Sequence, residues 1–202
     1  MNEHLTAVPG YRVWEYLLVL QPHEELSNKI KKVKEDFFEK YQAASATLGR
    51  PQITLLKFAQ FQMMEERVIN RLKMIAMAMP AFKIELKDYG SFPSHTIYIN
   101  IETKSAIQML VKSIKPARRL LTVKDINPVF IESPQLTLAR NLLPWQYEKG
   151  WQEYSNRHFT GRFIAKSMLL VGRPEGMHSY KPLQSFDFMN MPVVTTQGKL
   201  FV

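Results

Sequence analysis

Two short stretches hold the polar groups best placed for chemistry. Pro51-Gln-Ile-Thr-Leu-Leu-Lys57 and Pro134-Gln-Leu-Thr-Leu-Ala-Arg140 agree at four of seven positions and lie 83 residues apart. Side chains two apart on a strand share a face. Gln52 and Thr54 therefore point one way, as do Gln135 and Thr137, with Ile53, Leu55, Leu136 and Leu138 directed into an apolar interior. If the segments pack about a twofold axis, two amides and two hydroxyls converge, an arrangement suited to a phosphate or another anion. One such strand alone is explained as well by polar side chains on a solvated face; two in register argue for a shared site. Lys57 and Arg140 have the opposite parity and serve the site only if each strand ends or twists there. Phe58 has the Gln/Thr parity. With Tyr89, Phe92 and Trp145 in elements next to the motifs, it offers either a flat surface for a base or ordinary core packing.

The flanks of the motifs recur in step. An alternating apolar run starts at Tyr11, 41 residues before Gln52, and another near Thr96, 39 residues before Gln135. Residues 11–20 read as a strand, and Pro22 suits a first helical position. Leu26, Ile30, Val33, Phe37 and Tyr41 then form the apolar stripe of a helix. The stretch 43–50 reads as a loop, 51–58 as the first motif strand, and Met64 to Met79 as a second helix closed by Pro80. Phe82–Tyr89 and Thr96–Ile101 form a hairpin across the turn Gly90-Ser-Phe-Pro-Ser94. Ile107 to Ile114 repeats a helical stripe ended by Pro116, and a basic connector follows over 117–127. A second motif strand at 128–140, a helix from Pro144 to Arg157, and strands at 163–171 and 185–188 complete the pattern. Gly150 weakens its helix by about 1 kcal/mol relative to alanine. The expected fold is α+β: two related lobes of mainly antiparallel sheet (about 11–89 and 95–171) around a pseudo-twofold cleft, helices outside, in one bilobed domain over 1–188. The tail, 189–202, lacks periodicity.

Composition bounds the function. The 202 residues are 46% hydrophobic and 11% aromatic, enough for a substantial core. No apolar run approaches the roughly 18 residues of a membrane span, and Glu15 interrupts the run Val13–Leu20, which has no small-residue cleavage site. The absence of cysteine removes disulfides and thiolate metal sites. A cytoplasmic protein without cofactor, metal or membrane partner is expected, of open oligomeric state. The net charge of +9 favours polyanionic partners. Its clusters are Lys29 to Lys34, which reads as the solvated face of a helix, and Lys115-Pro-Ala-Arg-Arg119.

Gln52-Ile-Thr54-Leu55 and Gln135-Leu-Thr137-Leu138-Ala-Arg140, in two related lobes, resemble the duplicated His-x-Thr-Leu strands of the two-histidine phosphoesterases. That family includes the 2′-5′ RNA ligases and cyclic nucleotide phosphodiesterases. The order of elements fits from about residue 11 to 188, and Leu86-Lys-Asp-Tyr-Gly-Ser-Phe-Pro93 resembles the family's strand and turn after the second helix. The resemblance implies a cleft in which one imidazole removes a proton and the other protonates the leaving oxygen. Here both histidines are glutamine. Imidazole titrates near neutrality, whereas a primary amide only hydrogen-bonds. The resemblance, with glutamine at both positions, implies a 2′-5′ RNA ligase-like protein that binds a nucleotide or RNA end by its phosphate through Gln52, Thr54, Gln135 and Thr137, with little or no catalysis and no catalytic residue assigned. The alternatives are an RNA ligase or cyclic phosphodiesterase of altered chemistry, and an interaction scaffold with a vestigial cleft.

No other residue set replaces the lost imidazoles. His158-Phe-Thr160 copies the His-x-Thr spelling, but Gly161 stands in place of the leucine. His4, His23, His95 and His178 read as turn or surface residues, and no zinc, calcium or phosphate-loop signature is present.

Overall fold

The computed structural model describes residues 10–47, 49–124 and 126–191. Over these residues the chain forms two antiparallel sheets. Sheet A joins β1 (Val13–Leu20), β2 (Ile53–Phe61), β5 (Val129–Phe130), β8 (Ser167–Pro174) and β9 (Lys181–Asp187) in the order β5-β2-β1-β8-β9. Sheet B joins β3 (Phe82–Phe92), β4 (Thr96–Ile101), β6 (Leu136–Ala139) and β7 (Thr160–Ala165) in the order β6-β4-β3-β7. Each motif strand lies beside the strand that opens its lobe: β2 pairs with β1, and β6 with β4. The fold is α+β and pseudo-twofold, as the alternating runs imply.

The helices exchange lobes. α1 (Glu24–Tyr41) leaves sheet A, yet Phe37 packs on Gly150 and Tyr154 of α5 (Pro144–Tyr154), and Leu26 reaches Gly161 of β7. α4 (Lys104–Ile114) leaves sheet B and lies with α3 (Glu65–Ala78) against sheet A. Each helical layer thus covers one face of a sheet, and the apolar stripes (Leu26, Ile30, Phe37 and Tyr41 on α1; Val68, Leu72 and Ile75 on α3; Ile107, Leu110 and Ile114 on α4) form the core with the facing strand residues. The exchange ties the lobes together, because neither sheet is covered by the helix that follows its own first strand. A short α2 (Ala44–Thr47) lies within the expected 43–50 loop.

Gly150 shows what close approach requires. An added Cβ there would stand 2.9 Å from the Phe37 ring and 3.3 Å from Ile97. Phe37 is fully buried, with the Tyr41 and Tyr154 rings 4.7 and 5.1 Å away. Gly150→Ala is therefore expected to lose stability by about 1–3 kcal/mol through overpacking, outweighing the helix-propensity gain of about 1 kcal/mol. Chemical denaturation checks this: an unchanged or raised midpoint would mean that α1 shifts freely.

Several expectations need correction. Residues 128–140 are two strands, not one. β5 pairs with β2 in sheet A, and after Phe130 the chain crosses to sheet B, where β6 begins. Residues 163–171 likewise divide at Lys166 between β7 in sheet B and β8 in sheet A. The sheets therefore do not coincide with consecutive halves of the chain: β3 belongs to sheet B and β8 to sheet A. Gly90 and Ser91 lie within β3 rather than in the turn, and Pro22 precedes the His23 N-cap of α1 instead of opening the helix. Of the tail, Asn190 and Met191 donate to the Met79 and Met77 carbonyls at the end of α3, and 192–202 lie outside the described residues.

Candidate ligand cleft between the motif strands

The two motifs begin alike. Gln52 and Gln135 each stand one residue ahead of their strand. Pairing follows the same steps in both. In sheet A, Ile53, Thr54 and Leu56 lie opposite Leu20, Val19 and Leu18; in sheet B, Leu136, Thr137 and Ala139 lie opposite Ile99, Tyr98 and Ile97. Each ladder skips one residue, Leu55 in the first motif and Leu138 in the second. A β-bulge therefore sits at the same motif position in both lobes.

The bulge changes the parity. Leu55 and Leu56 are both fully buried, as are Leu138 and Ala139, so two successive side chains in each motif turn toward the helical layer. The next residue then returns to the threonine face. Lys57 lies opposite Leu17, which shares a face of β1 with Val19, the partner of Thr54. Arg140 lies one residue past the end of β6 and is exposed, with its charge acting on Lys34 and Tyr180. Lys57, which period-two counting sets apart from Thr54, is thus brought onto its face. The sequence contains no glycine or proline at Leu55 or Leu138 that would have marked the irregularity.

The same bulge moves Phe58 the other way. It pairs with Tyr16 on the core face, is 5% exposed, and stacks on the Tyr16 ring at 4.9 Å. The assignment of Phe58 to the Gln/Thr face is corrected: it is a core residue.

β2 and β6 approach within 8 Å between Cα atoms. The Ile131 N–H donates to the Leu55 carbonyl (2.9 Å), so the crossing chain starts beside Thr54. Gln135 is four residues further on, within about 14 Å of Ile131 even if fully extended. At its other end, the second motif is held by the Arg140 N–H donating to Ser45 Oγ of α2 (3.1 Å), just before the first motif. Among the described residues the side chains of Gln52, Thr54, Gln135 and Thr137 make no hydrogen bond to protein, although all four are half-buried. Half-buried polar groups without protein partners are satisfied by water or by a ligand.

The surroundings are cationic. Burial, reinforced by the nearby Arg140 charge, holds the Lys34 ammonium below its usual pKa. Lys34 is 6% exposed, which corrects its placement on a solvated helix face. Lys29 is also engaged, donating to the Thr160 carbonyl and lying 4.7 Å over the Phe159 ring. Arg173 pairs with Glu15 (2.6 Å) and covers the Tyr180 ring at 4.3 Å. The Tyr180 phenol is pushed up by burial, with Arg173 and then Arg140 opposing the shift.

On sheet B, β4 alternates Thr96, Tyr98 and Asn100 on the Thr137 face against Ile97, Ile99 and Ile101 in the core. Sequence reasoning passed over Tyr98, although the alternation of Thr96–Ile101 carries the signal. Phe92 is 41% exposed on this same face. Tyr89 instead faces the core against Tyr154, and Trp145 stands on α5, across the sheet. His158 and His95 lie outside the motifs: His158 Nδ1 contacts Asp88 (3.2 Å) and His95 stacks on Phe92. His4 lies outside the described residues. Among the described residues no group of three or more His, Asp or Glu could hold a metal ion, and no helix is long and apolar enough to cross a membrane.

The surplus charge gathers elsewhere. α3, α4 and the 3₁₀ segment Lys115–Leu121 carry eight Lys and Arg against Glu65 and Glu66, whereas α1 balances five of each sign. The cluster at Lys115–Arg119 therefore lies on the helical side of sheet A. A recess of about 610 Å³ at Glu85, Lys87, Glu102 and Arg162 lies toward the β7 edge of sheet B and includes no motif residue.

A family model of the 2′-5′ RNA ligase superfamily matches residues 22–176. Among solved structures, Escherichia coli LigT complexed with 3′-AMP superposes with a TM-score of 0.60 at 15% identity, covering 87% of this chain and 98% of that one. LigT complexed with NADP⁺ gives 0.55 at 15% identity (88% and 98% covered), and the Thermus thermophilus protein TT0787 gives 0.54 at 15% (87% and 98%). These likenesses show the fold. No curated protein matches the sequence.

Proposed function

Because the chain belongs to the 2′-5′ RNA ligase superfamily, we propose that its cleft binds the phosphate of a nucleotide or RNA end and holds it without the acid–base chemistry of two histidines. The observation that carries this reading is the matched bulge, which puts Lys57 on the face of Thr54 and leaves Arg140 exposed just past the strand of Thr137. Thr54 with Lys57 and Thr137 with Arg140 offer hydroxyl donors and positive charge, and the half-buried amides of Gln52 and Gln135 stand at the head of each strand. Hydrogen bonds to an ionised oxygen are roughly twice as strong as neutral ones. The set is therefore suited to retaining an anion. It contains no group that shuttles a proton near neutrality, because a primary amide neither gives nor takes one there.

An RNA end differs from a mononucleotide in the number of phosphates it presents to Lys57 and Arg140. Neutralising each backbone phosphate of a single strand adds about 0.7 to the salt slope of binding. Solution conditions typical of a cytoplasmic protein suit the measurement.

The test uses NMR titration of the full chain with a nucleoside 3′-monophosphate and with a short single-stranded RNA. The side-chain amide signals of Gln52 and Gln135 are expected to shift with both ligands, and RNA affinity to fall more steeply with salt. Shifts confined to α3 and α4 would place the ligand on the basic layer and overturn the cleft as its site.

A further inference from the structure

The pseudo-twofold is broken beside the motifs in a way that orients a ligand. The residue opposite Thr54 is Val19, fully buried; the residue opposite Thr137 is Tyr98, half-buried. Gly90 lies opposite Tyr98 on the neighbouring strand, and an added Cβ there would stand 2.6 Å from the tyrosine ring and 2.6 Å from Asn100 Oδ1. Glycine thus lets the ring and the Asn100 amide lie down across β3. The Phe92 ring stands beside Tyr98, with centroids 5.1 Å apart and tilted by 46°. The far side of Phe92 is closed by His95, whose ring lies nearly parallel at 6.3 Å. Among the described residues the Tyr98 hydroxyl and the Asn100 amide make no hydrogen bond to protein.

A flat ring next to a phosphate-suited threonine, with an unpartnered amide beside it, has the composition of a nucleobase subsite. Aromatic faces stack any base, and an amide offers both donor and acceptor to a base edge. The corresponding position of sheet A holds only the aliphatic Val19, flanked on its face by Leu17 and Leu169. We propose that Tyr98, supported by Gly90 and Phe92, is the stacking platform for the base of the bound nucleotide, with Asn100 at the base edge. The ligand then lies in one direction only, base over sheet B and phosphate between the motifs. This inference rests on the cleft being a phosphate site and adds to it the identity and direction of the rest of the ligand.

The experiment compares adenosine 3′-monophosphate with inorganic phosphate, each titrated into wild type, Tyr98→Leu and Tyr98→Phe. In wild type the adenine protons are expected to move upfield as they enter the shielding zone of a ring. Tyr98→Leu is expected to weaken the nucleotide by roughly 10- to 100-fold and to leave phosphate within about twofold. Tyr98→Phe, which keeps the ring and drops the hydroxyl, is expected to retain nucleotide affinity and the upfield shift. Equal wild-type affinity for nucleotide and phosphate, absent upfield shifts, or undiminished nucleotide binding by a folded Tyr98→Leu would each overturn the platform while leaving the phosphate site standing. If Tyr98→Leu fails to fold, the wild-type shifts and the Phe variant decide alone. Failure of wild type to bind either probe sinks the cleft reading itself.

Discussion

Purified wild-type protein is expected to hydrolyse neither 2′,3′-cyclic nucleotides nor 2′-5′ linkages, and Gln52→His with Gln135→His to create the activity. Each general acid or base contributes about 10²–10⁴ in rate, and a neutral amide supplies neither. Both glutamines stand at matched positions ahead of bulged strands, so imidazoles placed there would sit beside Thr54 and Thr137. The double variant is expected to show a bell-shaped pH profile, with one imidazole neutral and the other protonated. Either single change supplies half of the transfer and should yield far less. Robust turnover by wild type, free of contaminating enzyme, would replace the proposed binding role with catalysis of another kind. The double variant stays informative if inactive, because a shift of about 1 Å can cost 10²-fold in rate; its retained phosphate affinity would then separate mispositioning from a lost site.

The second large effect is on binding. Thr54→Val with Thr137→Val preserves shape at both bulges and removes the two hydroxyl donors. Hydrogen bonds to a charged group are worth about 1.5–3 kcal/mol each, so together their loss should weaken phosphate or nucleotide affinity by at least about 10²-fold. Calorimetric titration checks this, with the denaturation midpoint confirming that the fold is kept. Undiminished affinity in the folded double variant would assign the anion to the basic helical layer. Valine at these positions leaves Lys57 and Arg140 in place, so the measurement separates hydroxyl donation from the cationic field.

How much of this was legible in the chain depends on the range of the signal. The helical stripes Leu26–Tyr41 and Met64–Met79, the hairpin from Phe82 to Ile101 and the repeated Gln-x-Thr strands follow from local periodicity. They appear as α1, α3, β3 with β4, and β2 with β6. That Gln52 and Gln135 stand where the resemblance implies histidines is also read from sequence alone, and a primary amide neither gives nor takes a proton near neutrality. Gly150 reads in sequence as a weak point in its helix. Only the packing of Phe37 against it reveals a requirement, because the contact joins residues 113 positions apart.

The sequence by itself determined the α+β class, the duplicated motif and the amide at the head of each copy, all of which depend on residue type and short-range spacing. Tertiary structure decided three further matters. Strand pairing inserted bulges at Leu55 and Leu138, turning Lys57 toward Thr54 and Phe58 into the core. Sheet assembly divided 128–140 and 163–171 between two sheets, where the one-dimensional pattern shows no break. Cross-strand neighbours made Tyr98 the partner of Thr137 and Val19 that of Thr54. The physical reason is common to all three: period-two counting assumes an unbroken ladder, and whether a ladder skips a residue is settled by the strand across from it.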